Sequence, residues 1–555
     1  MKFLCVRTSL RLITHAHTRR SEVCCAHHSL RARPPALLVA MAATRATNEP
    51  QTDGRHQSVH FMVPENMQCA QSWQDRAVRM SNSTMSQALY HCNSRALLGG
   101  AGSDVNLILT ILRDHAFAPA EGLSSPWTIF WHTGDFTSAE LQALGSLQPH
   151  QRWNKLPGAS AITVKTNLCR ILRAAQKKHG KEHFAFVPDS FVLPDEIADY
   201  EALMRAEVEE ENVWILKPGS LQRGTGIFLH RASEQRHGWG GCVHELMPNA
   251  VRYHKGVASR YIHPPLLIGE HKFDMRIYVL VTCTHPLVAY VYDEGLTRFA
   301  TSPFDTDDLQ DRCKHLTNYS LNKHAKGFLP NTAAEEEDAA EADGVGSKWS
   351  LTALRRWLRG KLGEQDEARL LRDIDAIIAK TLVAAEPAMF EALYTSAHPT
   401  VAKEAPCQNF FQLFGFDVML DAEVRPWLLE VNAGPSLATE APLDLRIKSK
   451  MLVDLLNVIG ISAAVPEAAD SQGAVSLAAA SAAATEPILW KCSNEPVQER
   501  WARRLVAEEA ARAATTAWRR LLPSPEYAPL LEAGRTLHHL DYERGDGGIG
   551  ECVSM

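Results

Sequence analysis

The sequence predicts a mixed fold of the α/β (α+β) class. Three observations predict it. Short apolar runs of strand length recur through the middle of the chain. Two of these, residues 411–420 and 427–431, flank a polar turn at 421–425 and read as a hairpin. Helical spacing of apolar residues then returns over residues 349–389.

Length and composition bound the rest. The chain has 555 residues, material for about three domains. Hydrophobic residues make up 45% and charged residues 22%, with a net charge of −6. A globally basic nucleic-acid binder is therefore not expected, although a local basic groove is compatible with these values. No apolar run approaches the length of a membrane-spanning helix. The 12 cysteines are scattered and form no C-x-x-C pair. That pattern fits free thiols in a reducing compartment rather than a disulfide framework or a structural zinc site.

Residues 1–103 are expected to form a disordered or weakly ordered extension. Within it, residues 1–56 are rich in Arg, Ser and His and poor in acids. They resemble a transit peptide, or an upstream extension before a second start at Met41. From residue 104 the chain reads as globular, and 104–195 is expected to be an N-terminal domain. Residues 105–112 and 127–132 are strand candidates in it, and 165–179 is a basic helix candidate. Strands are expected before two Gly-containing turns, near 217–226 and 293–303, the second strand ending at 292. Residues 332–346 are acidic, lack periodic apolar positions and read as a flexible loop. Residues 463–486 are rich in Ala and Ser and read as a linker. Residues 487–522 carry Trp490, Trp501, Leu505 and Trp518 among charges and read as an amphipathic helix ending at Pro523. Residues 526–555 form a tail.

The hairpin carries the strongest chemical signal. With its turn centred at 421–425, Asp417 lies opposite Glu430, and Asn432 shares the Glu430 face. Like charges directly opposite destabilise a sheet, and burying both without compensation costs several kcal/mol. A divalent cation would remove the conflict, and Asp, Glu and an amide carbonyl suit Mg²⁺. The competing reading is that one carboxylate pairs with an arginine.

A second segment, WILKPGSLQRGTGIFL, delivers Lys217 from an apolar strand into a loop with Arg223, Gly224 and Gly226. Glycines let backbone N–H groups approach an oxyanion, and the cations neutralise it. No G-K-[ST] follows, and a strand rather than a helix comes next, so this is neither a Walker loop nor a dinucleotide fingerprint. In GEHKFDMRIYVLVT, Lys272, Asp274, Arg276 and Tyr278 alternate with Phe273, Met275, Ile277 and Val279. One face is core, and the other is a charged row or a solvated sheet face.

In this order, and together with QRWNKLPGASAITVKTNL, RYIHPPLLIGEHKFDMR, HLTNYSLNK and PWLLEVNAGPSL, these segments resemble the tubulin–tyrosine ligase-like family of amino-acid ligases. The resemblance covers about residues 125–462. It implies an ATP-grasp fold: two lobes, 196–262 and 263–462, whose antiparallel sheets clamp ATP, behind an N-terminal α/β domain. It implies that Lys165, Lys217, Arg223, Gly224, Gly226, Lys272, Asp274, Thr317 and Asn318 bind ATP. Ser259, Arg260, Tyr261 and Ile262 fall at the adenine hinge, where the family usually has Gln in place of Ser259. Asp417, Glu430 and Asn432 match the magnesium ligands.

The same resemblance makes Lys272, Asp274 and Arg276 the catalytic set, with Arg276 at the transferring phosphoryl group. Arg223 would also meet the protein substrate. Arg298, Tyr319, Ser347, Lys348 and Lys448 would receive the free amino acid, and Arg298 is expected to select that amino acid rather than ATP.

The implied activity is ATP- and Mg²⁺-dependent addition of glutamate to glutamate side chains in acidic tubulin tails, through an acyl phosphate. Glycine- and tyrosine-adding branches, and an inactive microtubule-binding scaffold, are the competing readings. The implied partners are tubulin or microtubules and free glutamate, with no nucleic acid and no membrane. The expected state is a monomer in the cytoplasm, on microtubules or at a cilium or basal body.

Overall fold

Runs of alternating or continuous apolar residues assemble into three sheets. The computed structural model describes residues 59–63, 88–92, 105–134, 136–137, 140, 147–148, 150–207, 212–219, 224–233, 255–331, 343–396, 408–461 and 497–531. All of these fall within one compact unit, Gly54–Met555.

The first sheet is parallel, with strand order β2-β1-β3-β4: β1 (Leu89–Cys92), β2 (Ala118–Pro119), β3 (Ile129–Trp131) and β4 (Arg152–Trp153). Strand β1 lies inside the stretch expected to be an extension, so ordered structure reaches further toward the N-terminus than residue 104. Residues 105–112, expected as a strand, lie mostly in the helix Asn106–Asp114. Leu107, Ile108, Ile111 and Leu112 are all buried there and share one helical face. A short apolar run does not distinguish that face from a buried strand.

The second sheet is antiparallel, with strand order β5-β8-β6-β7: β5 (Ser190–Leu193), β6 (Val213–Pro218), β7 (Phe228–Arg231) and β8 (Gly256–Arg260). The helix Ile197–Ala206 packs Tyr200 and Met204 against Trp214, Leu216 and Ala258 on one of its faces. Strand β5 therefore belongs with this sheet rather than with the N-terminal region.

The third sheet has seven strands: β9 (Leu267–Ile268), β10 (His271–Thr284), β11 (Leu287–Phe299), β12 (Lys348–Ser350), β13 (Gln412–Leu420), β14 (Pro426–Asn432) and β15 (Trp518–Leu522). Its main path runs β12-β11-β10-β13-β14, with β15 on β11 and β9 on β10. Along β10, Phe273, Met275, Ile277 and Val279 join a core that includes Ile378 and Leu382 of the long helix Glu364–Ser396. Tyr278 and Leu280, on the opposite face, meet Leu452 and Leu455 of the helix Pro442–Ile459. Each such fully buried apolar side chain stabilises the fold by about 1.5–3 kcal/mol. Lys272, Asp274 and Arg276 continue the Tyr278 face toward the start of the strand. One strand face thus changes from apolar to charged at a single position.

Two further expectations are corrected here. Residues 293–299 are not a turn: β11 continues to Phe299, and Gly295 sits within it opposite Ile277. A Cβ at Gly295 would come within 2.5 Å of the Arg276 carbonyl oxygen, so the glycine marks close backbone approach, not chain reversal. The C-terminal segment is not one helix to Pro523. The helix spans Val497–Ala513, and β15 then adds to the sheet, burying Trp518, Leu521 and Leu522. Pairing with β11 at Ala289–Tyr292 overrides the helical spacing.

Trp490 and the Ala/Ser-rich stretch lie outside the described residues, as do residues 332–342 of the acidic loop. The loop's C-terminal stem is anchored: the Ser350 N–H donates to the Asp343 carbonyl at 3.1 Å, and the Ser347 N–H to that of Leu329 at 2.8 Å. Among the described residues no helix is long and apolar enough to cross a membrane.

Candidate active site

The register of the third sheet brings charged side chains from separate segments into one band. Lys348 of β12 lies opposite Arg298 of β11, and Arg298 lies opposite Asp274 of β10. Two residues along β10, Arg276 lies opposite Asp417 of β13, which lies opposite Glu430 of β14. The expected hairpin register, with Asp417 facing Glu430, is the one observed. Asp274, Arg298, Asp417 and Glu430 of this band line an open cleft whose other side includes Ile215 and Lys217 of β6, Gly224, Ile227 and Tyr261.

Within the band the carboxylates are already compensated. Asp417 accepts from Arg276 at 2.6 and 3.1 Å and pairs with Arg298 at 2.9 Å. Burial would raise its pKa, but the attraction of the two guanidinium groups prevails and holds it well below the usual carboxylate range. Glu430 pairs with Lys165 at 3.1 Å. The inference that two uncompensated acids demand a metal is therefore corrected: guanidinium and ammonium groups relieve the repulsion. Arg298 also clasps Asp274 through two nitrogens, its Nε donating at 2.8 Å. The Arg298 guanidinium is thus engaged by two buried acids in the same cleft as the nucleotide candidates.

Asn432 points its amide at both acids, 3.3 Å from Asp417 Oδ2 and 3.4 Å from Glu430 Oε1. It is the amide nitrogen that faces the two acids, as a donor; to serve as a metal ligand the amide would turn over and present its oxygen there. Among the described residues no three His, Cys, Asp or Glu side chains cluster as a self-sufficient cage. Two carboxylates and one amide fit Mg²⁺, which retains water and phosphate oxygens among its ligands.

The cleft also holds two lysines short of anions. Lys272 donates to the Tyr261 hydroxyl at 2.8 Å and is buried. Desolvation, aided by repulsion from Lys217, lowers its pKa to about 7. Lys217 is lowered by desolvation and by Lys165, while Glu430 opposes the shift. Gly224 (φ +76°) and Gly226 (φ +71°) adopt the left-handed backbone that favours glycine. A Cβ on Gly224 would lie 2.9 Å from Asn318 Oδ1, so this loop closes directly on the Thr317–Asn318 segment. Arg223 lies outside the described residues. At the hinge, Ser259 accepts from the Ser190 hydroxyl at 2.9 Å. Arg260 lines the cleft, its guanidinium pairing with Glu207 and lying 5.0 Å from the Trp214 ring centre.

The residues expected to receive an amino acid form an adjoining group. Lys348 Nζ lies 3.9 Å from the Tyr319 ring centre and 2.6 Å from Asp444 Oδ2. Lys448 reaches the same carboxylate at 3.0 Å. Ser347 instead braces the loop stem, its hydroxyl accepting from the Leu329 N–H at 2.9 Å.

Three residues escaped sequence reasoning. His315 contacts the Tyr261 hydroxyl at 3.1 Å, and Arg312 donates to the Gly224 carbonyl. Asp444 joins Lys348 to Lys448; its only sequence signal is the i,i+4 spacing to Lys448.

Comparison with known proteins matches the part of this architecture that holds the second sheet and the third sheet except β15. The profile of the Tubulin-tyrosine ligase family matches residues 144–472. The human protein named tubulin polyglutamylase TTLL5 is 35% identical over 361 residues, 64% of this chain and 25% of its own length. Tubulin polyglutamylase ttll-5 of Caenorhabditis elegans is 35% identical over 360 residues, 64% of this chain and 46% of its own. A human protein named probable tubulin polyglutamylase TTLL2 is 32% identical over 347 residues, 62% of this chain and 52% of its own. The chain thus spans about a quarter to a half of the length of these curated relatives.

Proposed function

Because the chain belongs to the Tubulin-tyrosine ligase family, we propose that it is an ATP- and Mg²⁺-dependent ligase that adds glutamate to glutamate side chains of tubulin tails. The observation that carries the reading is the pairing of two anion-starved lysines, Lys217 and Lys272, with a converging Asp417–Glu430–Asn432 set in one cleft. That combination suits a metal-bound triphosphate. The names of the relatives support glutamate as the amino acid and tubulin as the acceptor. The setting is the microtubule cytoskeleton.

In this reading the two antiparallel sheets are the lobes that clamp ATP. Ile215, Ile227, Tyr261 and Met419 offer the apolar slot for the base. Lys217 and Lys272 take the phosphates, and the Gly224 loop covers them. Asp417, Glu430 and Asn432 would hold Mg²⁺, which supplies charge neutralisation at the transferring phosphoryl group. A carboxylate is a poor electrophile, so it must be activated first. A carboxylate oxygen of the acceptor attacks the γ-phosphorus and ADP departs. The amine of the free amino acid then attacks the acyl carbon, phosphate leaves, and the amine loses a proton. Arg276 holds the acyl phosphate in place, and Lys348 and Lys448 hold the free amino acid.

The test uses the purified full chain with ATP, Mg²⁺ and tubulin, offered labelled Glu, Gly or Tyr in parallel. Glutamate incorporation that a chelator abolishes is expected. Incorporation of Gly or Tyr in its place, or of none, overturns the reading.

A further inference from the structure

The cations expected to receive the amino acid do not contribute equally. Arg298, opposite Lys348 in the β11–β12 register, turns its guanidinium to Asp274 and Asp417 and brings no net charge to the pocket. Glu440, near Tyr319, is matched by Lys323 at 2.9 Å. What remains is Lys348, Lys448 and Asp444, each no more than 5% exposed. Two ammonium groups share one carboxylate, at 2.6 and 3.0 Å, and Lys448 also donates to the Ala438 carbonyl at 2.6 Å. With both ammonium groups charged the cluster carries one net positive charge in a dry environment, where an unmatched charge is costly; burial lowers the Lys348 pKa, and the Asp444 carboxylate opposes that shift.

We propose that Asp444 is a positioning residue that sets the charge of the amino acid the pocket accepts. By cancelling one of two lysine charges it leaves a single positive charge, complementary to an amino acid with one net negative charge. This rests on the reading of the site as taking free glutamate. Glutamate carries two carboxylates and one ammonium, so it brings the whole cluster to neutrality. Glutamine, the neutral isostere, leaves one buried ammonium unmatched. Asp444 acts through the lysines: it orients both, and it makes the charge count odd.

A charge-restoring pair of variants tests this. Lys348→Met leaves Lys448 and Asp444, a neutral pocket. The kcat/KM preference for glutamate over glutamine should fall about tenfold or more, the worth of a charge-assisted contact. Lys348→Met combined with Asp444→Asn restores one net charge, and most of that preference should return. Role by shape alone predicts that the second change adds damage without recovering selectivity, and that result overturns the proposal. If Lys348→Met does not fold, Lys448→Met with and without Asp444→Asn poses the same question. The ratio can also be read from calorimetric binding of the two amino acids in the presence of a non-hydrolysable ATP analogue. Failure of the parent chain to use glutamate would reject the functional reading. A parent chain that uses glutamate with no recovery in the double variant rejects the role of Asp444 alone.

Discussion

Burial, aided by repulsion from Lys217, lowers the Lys272 pKa from 10.5 to about 7, while its ammonium donates to the Tyr261 hydroxyl. The unfolded chain, with the ordinary value, binds more protons between those two limits. This residue's contribution therefore makes the free protein more stable as pH rises from about 7 toward 10.5. A triphosphate beside Lys272 would restore its charge, so nucleotide binding should take up a proton above pH 7. Titration calorimetry in buffers of different ionisation enthalpy should detect that uptake, and Lys272→Arg should abolish it. An uptake unchanged in the variant would exclude Lys272 as its source. Glu430→Gln should abolish ligation yet shift stability by no more than about 1 kcal/mol, because the Lys165 pair is partly exposed. Turnover retained at saturating Mg²⁺ would show that this carboxylate is not needed for the metal. Arg298 couples two buried acids, so Arg298→Ala should cost about 3–5 kcal/mol in denaturant unfolding. Arg298→Lys, which keeps charge but loses the fork, should raise KM for ATP as well as for glutamate. A defect confined to glutamate would return Arg298 to the amino-acid pocket.

At the scale of elements, the acidic loop is where sequence and structure divide the same segment differently. Its composition, without periodic apolar residues, argues that the whole of 332–346 is dispensable for ATP binding. Yet Asp343 pairs with Arg446 on the helix that carries Asp444 and Lys448, and Gly346 turns the chain at φ +89°. Deleting residues 333–342 should leave the ATP dissociation constant within about tenfold, or 1.4 kcal/mol. Extending the deletion through Gly346 should weaken the amino-acid pocket, seen as a higher KM for glutamate. The β10 and β13–β14 strands were readable beforehand because period-2 alternation and a polar turn determine both face and register. The C-terminal strand β15 was not, since its tryptophan and leucines satisfy a helical spacing equally well, and only an available sheet edge decides between the two. Asp444 was hidden for a similar reason: an acid four residues before a lysine on an amphipathic helix ordinarily marks a solvated pair.

Across the whole molecule, the C-terminal helix Val497–Ala513 docks a carboxylate into the back of the central sheet. Glu509 accepts from Thr282 at 2.7 Å and from Tyr290 at 3.3 Å, and burial raises its pKa from 4.5 to about 7. The folded state holds its proton more tightly than the unfolded state. The stability this group contributes is present below pH 4.5 and is lost as pH rises through about 7. Glu509→Gln should therefore raise the melting temperature of the full chain above pH 7 and change it little near pH 4.5. Equal effects at both pH values would assign the change to packing. Just beyond this helix, β15 covers the part of the β11 edge that β12 leaves open. Of the strands in that sheet, β15 is the last to leave the ribosome. While the chain is being made, β11 offers an uncovered row of backbone donors and acceptors to any passing strand. Synthesis therefore includes an interval in which the sheet bearing the charged band is open to templated aggregation, and the interval closes only when the C-terminal segment arrives.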